Sequence, residues 1–270
     1  MPHALITGTN AGFGKRSAER LVGLGWTVTG AMRNAQRAAE ETRWETVELD
    51  LNDEATLEST ARHIGERHGR LDALISNAGF ALMGPWEEMT SQELREQLEA
   101  NLVGTMTLCR LCLPLLREAK GVIVQVSSVS GQSGEALSGA YNASKFGLEG
   151  ASEALRGEVE PHGVRVVIVE PGPFRTSILQ TSPQVAAKGT TGLYDEEWRE
   201  TDDWATWLGS SSEDPERATD AIVAAATRPD APFRVPVGEE AGKWVREHAE
   251  DVLAQVVQAE AFLREFRSQH

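Results

Sequence analysis

A chain of 270 residues, 40% of them hydrophobic, can bury one substantial core, and α/β proteins of this length often form a single domain. Its 41 acids against 26 bases leave a net charge of -15, which repels phosphate backbones and anionic membrane surfaces and argues against nucleic acid or anionic lipid as a partner. No apolar run approaches the ~20 residues of a membrane span, and Met1-Pro2-His3-Ala4-Leu5-Ile6 enters a strand pattern without a basic signal region, so no membrane partner and a cytoplasmic location are expected.

In chain order, buried-strand patterns fall at His3 to Thr7, Trp26 to Met32, Glu45 to Leu49, Ala73 to Ser76, Gly121 to Ser127, Val164 to Val169 and Phe233 to Val237. Helical patterns lie between them, near Phe13 to Leu24, Asp53 to His68, Ser91 to Ala119, Ala140 to Pro161 and Pro215 to Thr227. Strand and helix in alternation predict an α/β fold: a doubly wound (Rossmann) parallel sheet of about seven strands with helices on both faces. In such a sheet ligands bind at the carboxyl ends of the strands. One domain over 1–270 is expected, with two additions to the plain alternation. About Gln180 to Ser212 reads as a substrate-covering insertion, carrying Trp198, Trp204 and Trp207. Glu239 to Phe266 repeats apolar residues at helical spacing and should dock a stripe on the body or on a partner subunit.

After the first strand comes Thr7-Gly8-Thr9-Asn10-Ala11-Gly12-Phe13-Gly14. Glycines there let the backbone turn and approach a pyrophosphate held at the positive end of the following helix. The end of the second strand, Thr29-Gly30-Ala31-Met32-Arg33-Asn34, has no acid for ribose hydroxyls and offers Arg33 to a 2′-phosphate, which favours NADP(H) over NAD(H). Asp50, directly after the third strand, is placed to meet the adenine edge, or to cap a helix. Tyr141 and Lys145, four apart in a helical pattern, share one face. A cation beside the phenol favours the phenolate and should lower its pKa toward working pH.

Cys109 and Cys112 form a C-x-x-C inside an apolar helical run and read as buried thiols. His63 and His68 are five apart, off a shared helix face, and no metal site is expected. Clustered acids such as Glu87 and Glu88 read as solvated.

With the glycine loop and the Tyr141/Lys145 pair in hand, the chain resembles the short-chain dehydrogenase/reductase family in its single-domain branch, over about its first 180 residues. Thr7, Gly8, Gly12 and Gly14 match that branch's T-G-x-x-x-G-x-G, and Asn10 and Phe13 fall within the same cofactor loop. Asn77-Ala78-Gly79 matches the N-A-G beside the cofactor. The resemblance implies a catalytic set of Asn101, Ser128, Tyr141 and Lys145, with Tyr141 and Lys145 also touching the cofactor. Pro171-Gly172 and Thr176 match the turn at the nicotinamide carboxamide, where Phe174 replaces a smaller aliphatic residue. Its finer likeness is to a subgroup with 17-beta-hydroxysteroid and retinol dehydrogenases and many bacterial oxidoreductases. The implied activity is NADP(H)-dependent hydride transfer to or from a small apolar ketone, aldehyde or secondary alcohol. A sensor that binds NADP(H) without turnover is the alternative. The family also implies a homodimer or homotetramer through Ser91 to Ala119 and Ala140 to Pro161, with Leu108, Leu111, Leu115 and Leu116 as the apolar stripe.

Overall fold

A computed structural model describes residues 1–38, 42–174, 192–200 and 213–269. Its strands are β1 (His3–Thr7), β2 (Thr27–Met32), β3 (Glu45–Glu48), β4 (Ala73–Ser76), β5 (Val122–Val126), β6 (Arg165–Pro171) and β7 (Arg234–Val237). They form one seven-stranded sheet in the order β3-β2-β1-β4-β5-β6-β7, with every pairing parallel. The order reverses between β1 and β4, so the loops after those two strands diverge and open a crevice at their carboxyl ends.

The helices are α1 (Gly12–Gly23), α2 (Ala35–Ala38), α3 (Glu54–His68), α4 (Ser91–Leu98), α5 (Thr105–Ala119), α6 (Gly139–Val159), α7 (Pro215–Thr227) and α8 (Ala241–Gln269). Alternate strand residues serve opposite faces. Ala4, Ile6, Val124 and Val167 pack under α1 and α7, against Leu21 and Ile222. Leu5, Leu74, Ile123 and Val166 pack on the other face against α3, α5 and α6, meeting Ile64, Leu108 and Val159. Leu108 and Leu116 are therefore fully buried in their own chain, while Val103 and Phe146 are the apolar side chains left exposed near that expected dimer face.

Local chemistry sets the helix starts. Asp53 caps α3 by accepting from the Ala55 amide at 3.0 Å, and Thr90 with Glu93 forms a capping box on α4. The run Ser91 to Ala119 is not one regular helix, since Glu99–Gly104 is a π-helical turn between α4 and α5. The tail helix departs further from expectation. Only its first turns meet the body, with Ala241 buried, and every residue from Ala249 to Ser268 is exposed. Among the described residues no helix is long and apolar enough to cross a membrane.

Candidate active site

The loop from β1 to α1 is built to receive an anion. Gly12 has φ +55, a conformation that side chains resist, and a Cβ there would point into open space. Gly14 is excluded from growth for the opposite reason, because a Cβ would overlap the Gly8 carbonyl and lie 2.6 Å from Asn77 Nδ2. Ala11 gives α1 no side-chain cap and its first turn holds no acid, so the helix presents its free amides without a competing carboxylate. Asn10 is exposed at the rim. Below the loop, Asn77 and Ala78 donate their backbone amides to Thr7 Oγ1 at 3.0 and 2.9 Å, and Asn77 Nδ2 donates to the Thr7 carbonyl at 2.9 Å. Asn77 and Ala78 thus tie the end of β4 to the end of β1.

At the end of β2, Arg33 is exposed and makes no ion pair among the described residues. Glu48 accepts from the Asn34 and Ala35 amides at 2.9 and 2.8 Å, fixing the turn that carries Arg33. Asp50 accepts from the Asn52 amide at 3.0 Å and is not the α3 cap, a place taken by Asp53. A glycine-lined, uncapped helix start fits the phosphates of a dinucleotide, and Arg33 stands at the end of the neighbouring strand β2. Gly8, Asn10, Gly12, Phe13, Gly14 and Arg33 would hold the dinucleotide's phosphates.

Across the crevice, α6 carries Tyr141 and Lys145 one turn apart. The Lys145 ammonium donates to the Val126 carbonyl at 2.8 Å and stands 5.8 Å from the centre of the Tyr141 ring. Ser128, just past β5, accepts from the Ser130 amide at 3.1 Å and hydrogen-bonds Tyr141 in a way that favours the phenolate. Asn101 lies in the π turn, and its side chain is fully engaged. Nδ2 donates to the Phe80 carbonyl at 2.8 Å and to Ser144 Oγ at 3.1 Å, while Oδ1 accepts from the Phe80 amide at 3.1 Å. Ser144 in turn donates to the Tyr141 carbonyl at 2.7 Å, so Asn101 is tied to the tyrosine through one hydroxyl.

The expected lowering of the tyrosine pKa is reversed in this chain by itself. Burial pushes Tyr141 up to about 12, against the pull of Ser128, and the Glu135 charge adds to the rise. Burial also brings Lys145 down to about 8, with Glu149 opposing. Spacing alone accounts for the neighbouring cation but not for the desolvation of both partners.

Sequence reasoning missed what lies behind this pair. Glu149, one turn beyond Lys145, and Glu170 on β6 are both buried and share the Arg234 guanidinium of β7. Gln132 Nε2 donates to Glu170 at 3.0 Å, and Arg234 also reaches Glu153 at 3.1 Å. Burial holds the Glu149 carboxyl well above its usual range, to about 7. Tyr141, Lys145 and Glu149 at successive intervals of four were a usable signal, but Glu170 and Arg234 required the sheet order. Gln97 was missed too: its Nε2 donates to the Phe80 carbonyl at 3.0 Å and its Oε1 accepts from the Leu82 amide at 2.6 Å.

On the substrate side, Tyr141 packs against an apolar cluster of Leu82, Met83, Leu137 and the buried Trp198. Phe174 is buried in the core under α1 and α7, with its ring edge-on to Phe13 at 5.7 Å. Gly172, following Pro171, donates to the Val237 carbonyl at 2.8 Å. Thr176, Trp204, Trp207 and most of the expected insertion lie outside the described residues.

Cys109 and Cys112 are both buried, and burial raises both thiols, Cys109 to about 11. His63 and His68 do converge, contrary to expectation: both reach Glu45 of β3, at 3.1 and 3.5 Å, and His3 stacks on His68 at 3.8 Å. Among the described residues no group of three or more His, Cys, Asp or Glu could hold a metal ion.

Comparison with known proteins points the same way. A family model described as short chain dehydrogenase matches residues 2–186. A 3-ketodihydrosphingosine reductase from Bacteroides thetaiotaomicron is 37% identical over 173 residues, 64% of each chain, so the match spans less than two thirds of that relative. The crystal structure of a short-chain dehydrogenase from Streptomyces avermitilis is 33% identical, with a TM-score of 0.86 over 98% of this chain and 99% of that one. A short chain dehydrogenase from Burkholderia cenocepacia, solved in complex with NADP, is 25% identical, with a TM-score of 0.76 over 95% and 96% of the two chains.

Proposed function

The chain belongs to the short-chain dehydrogenase/reductase family, and on that premise we propose that it is an NADP(H)-dependent oxidoreductase interconverting an apolar ketone or aldehyde and the matching alcohol. The observation that carries this reading is the convergence of Ser128, Tyr141 and Lys145 beside an apolar cluster, across a crevice from an uncapped, glycine-lined helix start.

A nicotinamide, when bound, supplies the hydride. Tyr141 gives its phenolic proton to the carbonyl oxygen during reduction, or accepts one from the alcohol in the reverse direction. Ser128 donates a hydrogen bond to the same oxygen as negative charge develops there. Lys145 keeps a positive charge near the phenol, which lowers the cost of the phenolate left behind. Asn101 holds Phe80 and Ser144 and so positions the backbone around Tyr141. Arg33 receives the 2′-phosphate of the cofactor, and the NADP-bound Burkholderia relative supports that preference. The apolar cluster of Leu82, Met83, Leu137 and Trp198 supports a substrate with an aliphatic or cyclic body, in keeping with the relative named a 3-ketodihydrosphingosine reductase.

The test is a turnover screen of ketones and alcohols with NADPH and NADH in parallel. Turnover that favours NADPH, abolished in Tyr141→Phe and shifted toward NADH in Arg33→Asp, is the expected result. Tight NADPH binding with no turnover across a broad panel would instead make the chain a cofactor sensor.

A further inference from the structure

Behind Tyr141 and Lys145 lies a group of buried charges. Lys145 is 6% exposed, Glu149 4% and Glu170 0%. Arg234, on β7, bridges the two acids. It also reaches Glu153, which is 69% exposed, so water carries that charge. Two buried carboxylates therefore stand against two cations, Arg234 at the rim of the cluster and Lys145 inside it. Buried charges persist when they are balanced and hydrogen-bonded, and this set balances only if Lys145 is counted in it. Among the described residues Lys145 forms no salt bridge, and its ammonium donates to the Val126 carbonyl at 2.8 Å. Helix spacing puts Glu149 one turn away on the same face of α6.

The two oxygens of Glu149 have different surroundings. Oε2 faces Arg234 and Gln132, whose Nε2 lies 3.4 Å away. Oε1 sits beside the turn after β5. A Cβ added to Gly131 would lie 3.2 Å from Glu149 Oε1 and 3.0 Å from Ser127 Oγ, so the missing side chain of Gly131 makes room for both. The Ser127 hydroxyl favours the ionised form of Glu149, and neither atom has a further partner among the described residues. Ser127 itself stands between Val126, which holds Lys145, and Ser128.

We infer that Glu149 is a positioning residue for this site: held ionised by Arg234, it keeps Lys145 an ammonium and so sets the alkaline limit at which Tyr141 loses its cation. The role rests on the activity proposed above, but the charge of Lys145 can be read without turnover. Beside Lys145 on α6 the other titratable group is Tyr141, whose phenol burial holds up to about 12 and so neutral where the lysine titrates. Facing Glu149 are Glu170 from β6, Arg234 from β7, and the uncharged Ser127 and Gln132. Glu149 gives up its proton near pH 7 and Lys145 near 8, so the acid is already negative where the lysine titrates. Arg234 cannot lose a proton in its place. Without the Glu149 charge, Lys145 is the cation that becomes neutral.

A carbon-13 NMR titration of the full chain, labelled at lysine Cε, reads this directly, with Lys145→Arg identifying the Lys145 signal. In the unaltered chain that signal should titrate near pH 8, with a smaller inflection near 7 as Glu149 ionises. Glu149→Gln keeps the shape and removes the charge, and should lower the Lys145 midpoint by about 1 pH unit or more. Glu153→Gln removes a charge from the exposed end of the same cluster and should leave the midpoint in place. Where NADPH-dependent reduction is measured, the alkaline limb of kcat should move down with the midpoint in Glu149→Gln. A folded Glu149→Gln chain with the midpoint unmoved would overturn the inference. So would an equal shift in Glu153→Gln, or a Lys145 signal in the unaltered chain that is blind to Glu149. A shifted midpoint in a chain without turnover would count against the proposed activity and for the pairing.

Discussion

His3 makes the stability of this sheet depend on pH. It is only 3% exposed, lies 3.0 Å from Thr29 Oγ1 and is stacked on His68. Burial, then the charge of His68, lowers its pKa from 6.5 to about 4, while a backbone hydrogen bond at Arg70 and the charges of Glu45 and Asp72 partly oppose the shift. The unfolded chain takes up the proton near pH 6.5 and the folded chain only near 4, so stability is full above that window and falls as pH drops through it. The whole gap corresponds to about 3 kcal/mol at ~1.4 kcal/mol per pH unit. His3→Phe keeps an aromatic ring on His68 and removes the titrating group. Urea unfolding of both proteins at pH 7.5 and 5.5, above the isoelectric point near 4.9, isolates the term, because every other ionisable group is common to the two chains. The unaltered chain should lose about 1.4 kcal/mol more than His3→Phe over that interval. Equal losses would refute the reasoning, by showing that His3 protonates in place.

Tyr141→Phe should lower kcat by about 10²- to 10⁴-fold, the usual worth of a positioned proton donor, with cofactor affinity from a fluorescence titration little changed. Gly14→Ala drives a methyl into the Gly8 carbonyl and the Asn77 amide; it should cost about 1–3 kcal/mol of stability in denaturant and weaken cofactor binding in the same titration. Arg234→Met leaves Glu149 and Glu170 buried together without their shared cation. It should destabilise by about 2 kcal/mol or more. Because burial already raises Glu149, its contribution to stability is lost as pH rises from the ordinary carboxylate range through about 7, so melting curves should show a larger deficit at pH 8 than at pH 6. A deficit independent of pH would place the proton elsewhere.

The strands were legible because each buried run is bounded by turn residues and followed by a helical pattern, and all seven fall within a residue or two of expectation. Tyr141 and Lys145 were legible because one helix carries both. Glu170 and Arg234 were not, because α6, β6 and β7 come together only through the order of strands in the sheet. The same limit hid the histidines: helix spacing separates His63 from His68, yet Glu45 from a neighbouring strand presents an oxygen to each. The tail pattern identified an amphipathic helix without saying that most of it leaves the body. For Tyr141, spacing supplied the neighbouring cation and left out burial, the term that decides the direction of the shift.

The π turn at Glu99–Gly104 makes chain length a functional variable in the stretch from α4 to α5. Removing one residue there would close it to an ordinary α-helical turn, with α4 and α5 kept nearly in phase because the wide turn already absorbs the extra residue. The helix itself would be locally better formed. Gln97 in α4 would keep its contacts with Phe80 and Leu82, but Asn101, seated by the wide turn itself, would lose its reach to Phe80 and Ser144. A one-residue deletion is therefore opposed here by the site even though the helix favours it, so the wide turn works as a fixed count between two pieces of the scaffold.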